Sequence, residues 1–549
     1  MELRVTAWLA TLPGRSGRLG DTRLASSPVS VNASRPLLSI GLLPAVLLIV
    51  GAVSEFRVWP DADVAWLLTV ARKMTDGARP YTRDIVEINP PLVMHLGQAA
   101  ITAGQLLGLD AVSAWRLVVC GFMAVSCALA LPMLARHVDP VGRTSATAVC
   151  VLFAAVVACL PGSSFGQREH LIVLWLAPYV LCASLRVRGD PVDRFTASLA
   201  GVMLPLALAI KSHYIFVVLV ELGVLAARRR LSDLLRPEIV AAAVSGAALL
   251  VFTLVAHPTY VSSGLRLAID YYPDYGEGGV VWGRLTYLAL PLAVLALAQV
   301  RRVPSALCRT CTLAAAGCGL AAALQGKGWD YQFLPMLSFI VLATGAGCLA
   351  IADAAMPGVL PSLRARARMF GLVAVALVLG FAGLAERRTW RINDGSRQRS
   401  AGALFSMLEH TQPASSQRSL SGLTLDLFPA FPVTEMLHAE WASRFSCLWM
   451  IPAIEARERA GGAGADPARS GRADLETAVV EDLVERRPTF VIIEENRSRL
   501  LDQIVAHPGV QSALLAYDHV GTVGTFQVWV RRPQLTTRPG RALVAPSGS

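Results

Sequence analysis

The chain has 549 residues, of which 54% are hydrophobic and only 16% are charged. Its mean hydropathy of +0.51 excludes an ordinary soluble globular protein, in which about a quarter of the residues are charged. The formal net charge of +11 would suggest nucleic-acid binding in a soluble chain. Here the basic residues lie mainly in short loops between apolar stretches, so they report the topology of a polytopic α-helical membrane protein and predict no nucleic-acid partner.

Apolar stretches near the length of about 20 residues that a membrane helix needs recur along most of the chain. The stretch 196–227 is too long for one span and contains Lys211, Ser212 and His213 at its middle, so we interpret it as two short helices. The segment 91–109 is interrupted by polar side chains and is interpreted as an interfacial or re-entrant helix. The eleven predicted spans are 37–54, 113–134, 144–160, 169–187, two within 196–227, 239–256, 285–300, 306–323, 333–351 and 368–385.

The distribution of arginine predicts how these spans are oriented. Arginines mark every second loop and the N-terminal tail of residues 1–36, and such loops are cytoplasmic in membrane proteins. The loop 55–112 then lies on the outer face. Because the bias toward arginine over lysine and toward alanine is typical of a GC-rich bacterial genome, we expect the bacterial inner membrane, with the outer face in the periplasm.

The chain changes character after residue 385. The predicted elements are strands at 489–494 and 525–530 and helices around 475–486 and 499–507. We therefore predict a small extracytoplasmic α/β domain over residues 386–533. The stretch 459–472, rich in Gly, Ala and Arg, is interpreted as a mobile surface loop, and residues 534–549 as a disordered tail.

Acids, prolines and aromatic residues concentrate in the first outer loop, at residues 59–95. Acidic groups such as Asp61, Asp63, Asp84 and Glu87 are costly beside a hydrocarbon boundary unless they serve chemistry. Asp61 and Asp63 precede an amphipathic segment, so either can be a helix N-cap. A cap explains one aspartate but not the second acidic patch. We therefore interpret the loop as part of an active site.

Cations are placed on the same side as this loop. Only three of the fifty basic residues are lysines, and Lys211 and Lys327 lie at predicted outer ends of spans. Arg168 comes from another outer loop, beside Glu169. Snorkelling of long side chains to the interface is the alternative explanation, but the shared placement of the three favours a functional role.

Further polar and aromatic side chains lie next to these acids and cations. The candidate substrate-binding residues are Asp84, Glu87, Glu169, His170, His213, Trp329, Asp330, Tyr331 and Gln332. The aromatic pair has an alternative explanation, because Trp and Tyr are common at membrane interfaces in general. Cys308 and Cys311 have the spacing of a redox or metal pair, but no second pair or nearby histidine supports one, so small helix-packing residues are favoured.

The first outer loop resembles that of the C-type glycosyltransferase superfamily, which includes protein O-mannosyltransferases, the lipid A aminoarabinose transferase and rhizobial galacturonosyltransferases. The matching residues are Asp63 before an amphipathic helix, then Gly77, Pro80, Tyr81 and Asp84, then Pro90, Pro91 and Leu92 opening an interfacial helix. Glu169 and Lys211 are also similar to the family's pattern. Relatives often have Asp at the first of these positions, and Gln332 stands where a histidine is expected.

The resemblance implies a transmembrane catalytic domain over residues 37–385, with about eleven helices and extracytoplasmic juxtamembrane helices. Enzymes of this kind transfer a sugar from a polyprenyl phosphate to an acceptor hydroxyl of a glycan, lipid or protein. In this chain the resemblance implies an inverting reaction with Asp63 as the general base and Asp61 beside it in the catalytic loop. The three cations would neutralise the departing phosphate.

Some members of the superfamily coordinate a divalent ion and others need none, so a metal stays an open alternative, with Asp63 and Glu169 as its candidate ligands. Two other functions are also open. A transporter would suit many spans and buried charges, although transporters usually bind near the midplane and contain repeats. A non-catalytic scaffold with an external binding domain is the second. Convergence of Asp63 and Lys211 on one outer cavity would favour the enzyme.

Overall fold

A computed structural model describes residues 36–137, 143–273, 278–303, 305–355, 396–411, 418–461, 464–495 and 497–533. The apolar part of these residues is helical. Its helices are α1 (Pro36–Glu55), α2 (Ala62–Thr75), α3 (Leu92–Leu106), α4 (Ala111–Arg136), α5 (Arg143–Ala158), α6 (Arg168–Arg188), α7 (Arg194–Ile210), α8 (Val218–Arg228), α9 (Pro237–Ala256), α10 (Arg266–Tyr271), α11 (Gly278–Leu285), α12 (Ala289–Val300), α13 (Ala306–Gln325) and α14 (Leu334–Ala355).

Six of the described helical segments are long and apolar enough to cross a membrane. They are Ala111–Arg136, Arg168–Arg188, Pro237–Ala256, Val280–Val300, Ala306–Gln325 and Asp330–Ala352. Shorter apolar helices are Leu42–Glu55, Thr147–Ala158 and Arg194–Ile210. The chain is thus a helical membrane protein, while the number of eleven spans stays a prediction. The predicted span 368–385, the tail before residue 36 and the tail 534–549 lie outside the described residues.

Burial separates the central helices from the peripheral ones. In α6 every residue from Arg168 to Leu185 is buried, so this helix forms the centre of the helical part. Within its apolar length α9 has no fully buried residue, as expected of a helix at the periphery of the helical part. A polar side chain on α6 therefore contacts other protein groups and not lipid or water.

The stretch 196–227 is broken where the sequence predicts. Helix α7 ends at Ile210, Lys211 adopts an extended conformation with φ −147°, and a 3-10 turn over Ser212–Val217 leads into α8. The break brings the backbone of Lys211 to the end of α7, where its side chain reaches α6 and α13.

Two short helices follow α1 in the first outer loop. Helix α2 begins after Asp61, whose side chain accepts the backbone N–H of Asp63 at 2.8 Å and so satisfies one free donor of the first turn. Helix α3 has 15 residues, about 22 Å at 1.5 Å per residue, which is shorter than a hydrocarbon core of about 30 Å. This length suits the predicted interfacial or re-entrant helix.

The described residues after 395 form helices and strands around one five-stranded sheet, which we refer to as the α/β domain. Its elements are α15 (Ser396–Thr411), β1 (Ser419–Leu423), α16 (Ala430–Met436), β2 (Glu440–Trp441), α17 (Ile451–Ala460), α18 (Ala465–Arg486), β3 (Phe490–Glu494), α19 (Arg499–Val505), α20 (Pro508–Leu514), β4 (Tyr517–Val523) and β5 (Phe526–Arg531). The sheet order is β2-β1-β3-β5-β4. Strands β2, β1 and β3 are parallel, whereas β5 pairs antiparallel with both β3 and β4. All residues of β3 are buried, as is typical of a central strand.

The predicted strands at 489–494 and 525–530 correspond to β3 and β5, whereas the predicted loop at 459–472 is wrong in its second half. Helix α18 begins at Ala465, Ala468 is buried, and Arg472 pairs with Glu476 at 2.8 Å one helical turn later. Alanine and arginine are strong helix formers, and packing of α18 against the domain outweighs the glycines that suggested a loop.

The α/β domain is fastened to α2. The Glu435 carboxylate of α16 accepts Thr69 Oγ1 at 2.7 Å and both terminal nitrogens of Arg72 at 2.9 and 2.6 Å. Lys73 Nζ donates to the Ser443 carbonyl at 2.8 Å. The Glu435 side chain is 1% exposed, so the same helix that begins beside Asp63 carries the domain on its C-terminal half.

We expect Glu435→Ala to loosen this attachment, because it leaves Thr69 and Arg72 without their shared acceptor. The expected loss is about 2 kcal/mol, since Arg72 is partly exposed and water replaces part of its interaction. It is measured as a lower thermal midpoint of the detergent-extracted protein. The matched control is Glu485→Ala, whose partner Arg83 and own side chain are exposed. An equal midpoint for both variants would contradict the fastening role.

Candidate active site

Charged residues meet at one end of the central helices. Arg168 is the first residue of α6, Lys211 directly follows α7, and Lys327 lies two residues after α13. Asp63 lies in the first turn of α2. The ends of three long helices and the beginning of the loop helix thus bring together the acid and the cations that the sequence singles out.

Asp63 is paired with Arg168. Its Oδ1 accepts Arg168 Nη2 at 3.0 Å, and the two side chains are 21% and 7% exposed, respectively. Asp63 therefore still faces an opening, while the guanidinium is enclosed. An acid that is half-buried, charged and reachable from outside can accept a proton from a bound hydroxyl.

Asp61 takes the capping role that the sequence left open between the two aspartates. Burial, with the neighbouring Asp63 charge as the second cause, raises the pKa of Asp61 to about 7. The N–H groups of the helix start and the Gln167 side chain act against this shift. Asp61 thus holds the start of α2, and Asp63 with it, in place.

Lys211 is enclosed by two acceptors. Its ammonium group pairs with Glu169 Oε1 and donates to Gln325 Oε1 at 3.0 Å. It also lies 5.6 Å from the centre of the Tyr331 ring. Glu169 is fully buried, and its Oε2 makes no hydrogen bond among the described residues. Because a charge buried in this way needs a partner, Glu169 and Lys211 form a pair in the protein interior.

Lys327 is packed against aromatic rings. Its ammonium lies 3.8 Å from the centre of the Tyr272 ring and donates to the Tyr272 carbonyl. The Tyr272 ring contacts Trp329 at 6.4 Å and Trp449 at 6.3 Å between centres. Trp329 is 5.7 Å from Tyr331. The predicted Trp329 and Tyr331 thus belong to an aromatic wall that links Lys327 to Lys211.

Two predicted substrate-binding residues are engaged inside the protein. Glu87 accepts Trp66 Nε1 at 2.6 Å and the backbone N–H groups of Ile88 and Asn89 at 2.7 and 2.8 Å. It therefore shapes the first outer loop. His170 is fully buried; its Nδ1 accepts the Gly166 N–H at 3.1 Å and its Nε2 donates to a carbonyl of α5.

The remaining predicted residues lie around the cluster. His213 is half-buried two residues after Lys211. Asp330 is exposed and pairs with Arg284, and Asp84 accepts the Arg79 N–H at 3.2 Å on the loop surface. Gln332 is fully buried, and its side-chain amide makes no hydrogen bond among the described residues. Substrate contacts of these residues stay predictions.

Three site residues are missing from the sequence-based set. Gln325 had a signal, because it is a polar residue at the end of an apolar helix and two positions before Lys327. Tyr272 and Trp449 had none. They meet only because the α/β domain lies over the membrane helices, and a contact between residues so far apart leaves no local pattern.

The α/β domain also approaches Asp63. Burial, followed by the Asp426 carboxylate and with a smaller contribution from Asp63, raises the pKa of the Cys447 thiol. Two adjoining cavities of about 670 and 510 Å³ lie between the C-terminal half of α2 and the domain. Both are lined by Lys73, Asp76 and Glu440, and burial together with the charge of Arg486 lowers the pKa of Lys73 to about 8. The domain therefore borders polar space of ligand size.

The two candidate ligands of a divalent ion, Asp63 and Glu169, are engaged with basic residues in this structure. Asp63 faces the guanidinium of Arg168 and Glu169 faces the ammonium of Lys211, so each already has a cation beside it. Within the described parts of the chain, no three His, Cys, Asp or Glu side chains are grouped as metal ligands. The positive charge of this site in the described structure comes from its arginine and lysines.

We expect the Glu169–Lys211 pair to behave as one unit. Lys211→Gln alone leaves a carboxylate buried without a counter-ion, at a cost of about 3 kcal/mol. The double variant Glu169→Gln, Lys211→Gln removes both charges, so its thermal midpoint should lie well above that of the single variant. A double variant whose loss of stability, relative to the unchanged protein, equals the sum of the losses of the two single variants would contradict the pairing.

The chain resembles known proteins in structure and not in sequence. No family model and no curated protein sequence matches the chain. ArnT from Cupriavidus metallidurans bound to undecaprenyl phosphate is similar in structure, with TM-score 0.56, 13% identity and coverage of 90% of this chain and 99% of ArnT. Its apo state has TM-score 0.55 at 13% identity, covering 91% of this chain and 100% of ArnT.

The oligosaccharyltransferase of Archaeoglobus fulgidus matches with TM-score 0.43 and 11% identity over 89% of this chain and 74% of the other. The likeness to ArnT extends over nearly the whole of both proteins. The chain therefore shares the fold of ArnT, with a helical membrane part followed by an α/β part.

Proposed function

We propose that the protein is a membrane glycosyltransferase that transfers a sugar from a polyprenyl phosphate to an acceptor hydroxyl of a glycan, lipid or protein. The observation that carries this proposal is the pair of Asp63 and Arg168, 3.0 Å apart, beside a second buried cation, Lys211. This pair supports a reaction that needs a proton acceptor and a positive charge close together. The fold shared with ArnT supports the same reaction class.

Asp63 is the general base of the proposed reaction. Its carboxylate removes the proton of the acceptor hydroxyl while that oxygen attacks the anomeric carbon of the donor. The new carbon–oxygen bond forms on one face as the bond to the phosphate oxygen breaks on the other, so the configuration inverts. The electron pair of the broken bond leaves with the phosphate, and the proton stays on Asp63.

The departing phosphate needs positive charge and no proton, because a phosphate is already a good leaving group. Arg168, Lys211 and Lys327 supply that charge in an enclosed site, where it is worth more than in water. The aromatic wall of Tyr272, Trp329 and Tyr331 excludes water around the cations. Loss of one such contact is expected to cost about 3 kcal/mol, roughly a hundredfold in rate.

The donor is proposed to be a lipid because the cations lie at the ends of membrane helices, where a headgroup is found when its chain remains in the bilayer. ArnT was crystallised with undecaprenyl phosphate, a ligand with this combination of charge and chain. We place the site on the periplasmic face of a bacterial inner membrane, with the N-terminus in the cytoplasm, from the arginine pattern of the loops.

The α/β domain is proposed to select the acceptor. Trp449 contributes to the aromatic wall, and the cavities between the C-terminal half of α2 and the domain offer polar space of ligand size. A transporter is disfavoured by the position of the charges. Arg168, Lys211 and Lys327 lie at helix ends, whereas transporters usually bind their cargo near the midplane.

We expect Asp63→Asn to abolish transfer while donor binding is retained, because the amide keeps the shape of the carboxylate but does not accept a proton. The assay follows a labelled sugar from the polyprenyl-phosphate pool into acceptors in membranes that contain the protein. The matched control is Asp110→Asn, which changes an exposed N-cap of α4 and preserves capping. An Asp63→Asn protein that transfers at the normal rate would overturn the base assignment.

A further inference from the structure

The two acid–cation pairs of the site differ in how firmly the cation is held. Lys211 has two acceptors, Glu169 and Gln325, and all three side chains are buried. Among the described residues, Arg168 donates a hydrogen bond to Asp63, whose side chain is 21% exposed. One cation is thus fixed in the protein interior, and the other is tied to an acid at the opening.

The Asp63–Arg168 pair is at odds with the proposed roles of both residues. The Asp63 oxygen that accepts Arg168 is occupied by the guanidinium, so an acceptor hydroxyl has to compete with Arg168 for that oxygen. A guanidinium that is neutralised by a carboxylate attracts phosphate less strongly. Neither residue performs its proposed task well while the pair is intact.

We infer that the donor phosphate competes with Asp63 for Arg168, so that donor binding releases the Asp63 carboxylate to act as a base. This inference rests on the proposed function. In the free protein Arg168 masks Asp63. In the donor complex the guanidinium turns to the phosphate oxygens, with which its planar donors pair well, and Asp63 is left to accept the proton of the acceptor.

Arg168 is the cation that changes partner, because separating Arg168 from Asp63 costs less free energy than separating Lys211 from Glu169. If Lys211 left Glu169, it would strand a carboxylate that is fully buried and has no other hydrogen bond among the described residues, a situation that costs several kcal/mol. When Arg168 leaves Asp63, the carboxylate is at the opening and is solvated by water. Lys211 then serves as a fixed charge, and Arg168 as the mobile one.

The exchange of partners also sets the order in which the two substrates bind. An acceptor that arrives before the donor meets a masked base, so productive binding begins with the donor. After transfer, Asp63 is protonated and does not attract Arg168, which stays with the polyprenyl phosphate. Once Asp63 loses its proton, it draws Arg168 back and weakens the hold on the spent lipid.

The test measures equilibrium binding of a sugar-free polyprenyl phosphate to the full chain in lipid nanodiscs. Asp63→Asn removes the competitor, so affinity should rise about tenfold, or about 1.4 kcal/mol. Arg168→Gln should weaken binding, and its amide still donates to Asp63, which preserves the local contact. Asp110→Asn, the control on the same face, should bind as the unchanged protein does.

The double variant Asp63→Asn, Arg168→Gln separates competition from simple charge repulsion. Loss of a negative charge near a phosphate improves binding in either background, but loss of competition improves it only when Arg168 is present. The gain from Asp63→Asn should therefore fall to about twofold in the Arg168→Gln background, as coupled residues require. An equal gain in both backgrounds, or no gain at all, overturns the inference and leaves the proposed function standing. Absence of saturable binding in the unchanged protein overturns both.

Discussion

Buried charge at a membrane boundary needs an opposite charge beside it, and this constraint organises the helical part of the protein. Glu169 is fully buried at the start of α6, where an unpartnered carboxylate would cost several kcal/mol. Lys211 meets it because α7 ends at Ile210 and the chain turns there. The break in the long apolar stretch 196–227 thus places Lys211 beside the buried acid Glu169. Asp63 and Arg168 repeat the arrangement closer to the opening, where one partner is free to be exchanged.

The second organising feature is the short helix α2, which both positions Asp63 and holds the α/β domain. Helix α2 begins at the Asp61 cap, which positions Asp63, and its C-terminal half carries the α/β domain through Arg72 and Glu435. The domain brings Trp449 to the aromatic wall around Lys327. The domain and the proposed base are therefore attached to the same helix.

Local sequence signals predicted those parts of the structure that local chemistry decides. The cap at Asp61, the break at Lys211, strands β3 and β5, and the convergence of Asp63, Arg168, Lys211 and Lys327 could all be expected from residue types and their spacing. Roles that depend on tertiary contacts could not. Residue type and spacing do not reveal the loop and core hydrogen bonds of Glu87 and His170, and Trp449 reaches the site only through domain packing. Strands β1, β2 and β4 have no alternation of apolar and polar residues strong enough to predict them. The Gly-rich composition of 459–472 predicted a loop where the first turns of α18 lie.

The most direct test of the central claim is mass spectrometry of the lipids that co-purify with the detergent-extracted protein. The unchanged protein is compared with a variant that carries Lys211→Ala and Lys327→Ala, so that two of the three cations are removed. The account predicts a polyprenyl phosphate or its glycoside with the unchanged protein and loss of that lipid from the variant. The mass of the glycoside would then identify the sugar. Equal amounts of the same lipid with both proteins would contradict the claim that these cations bind a phosphate donor.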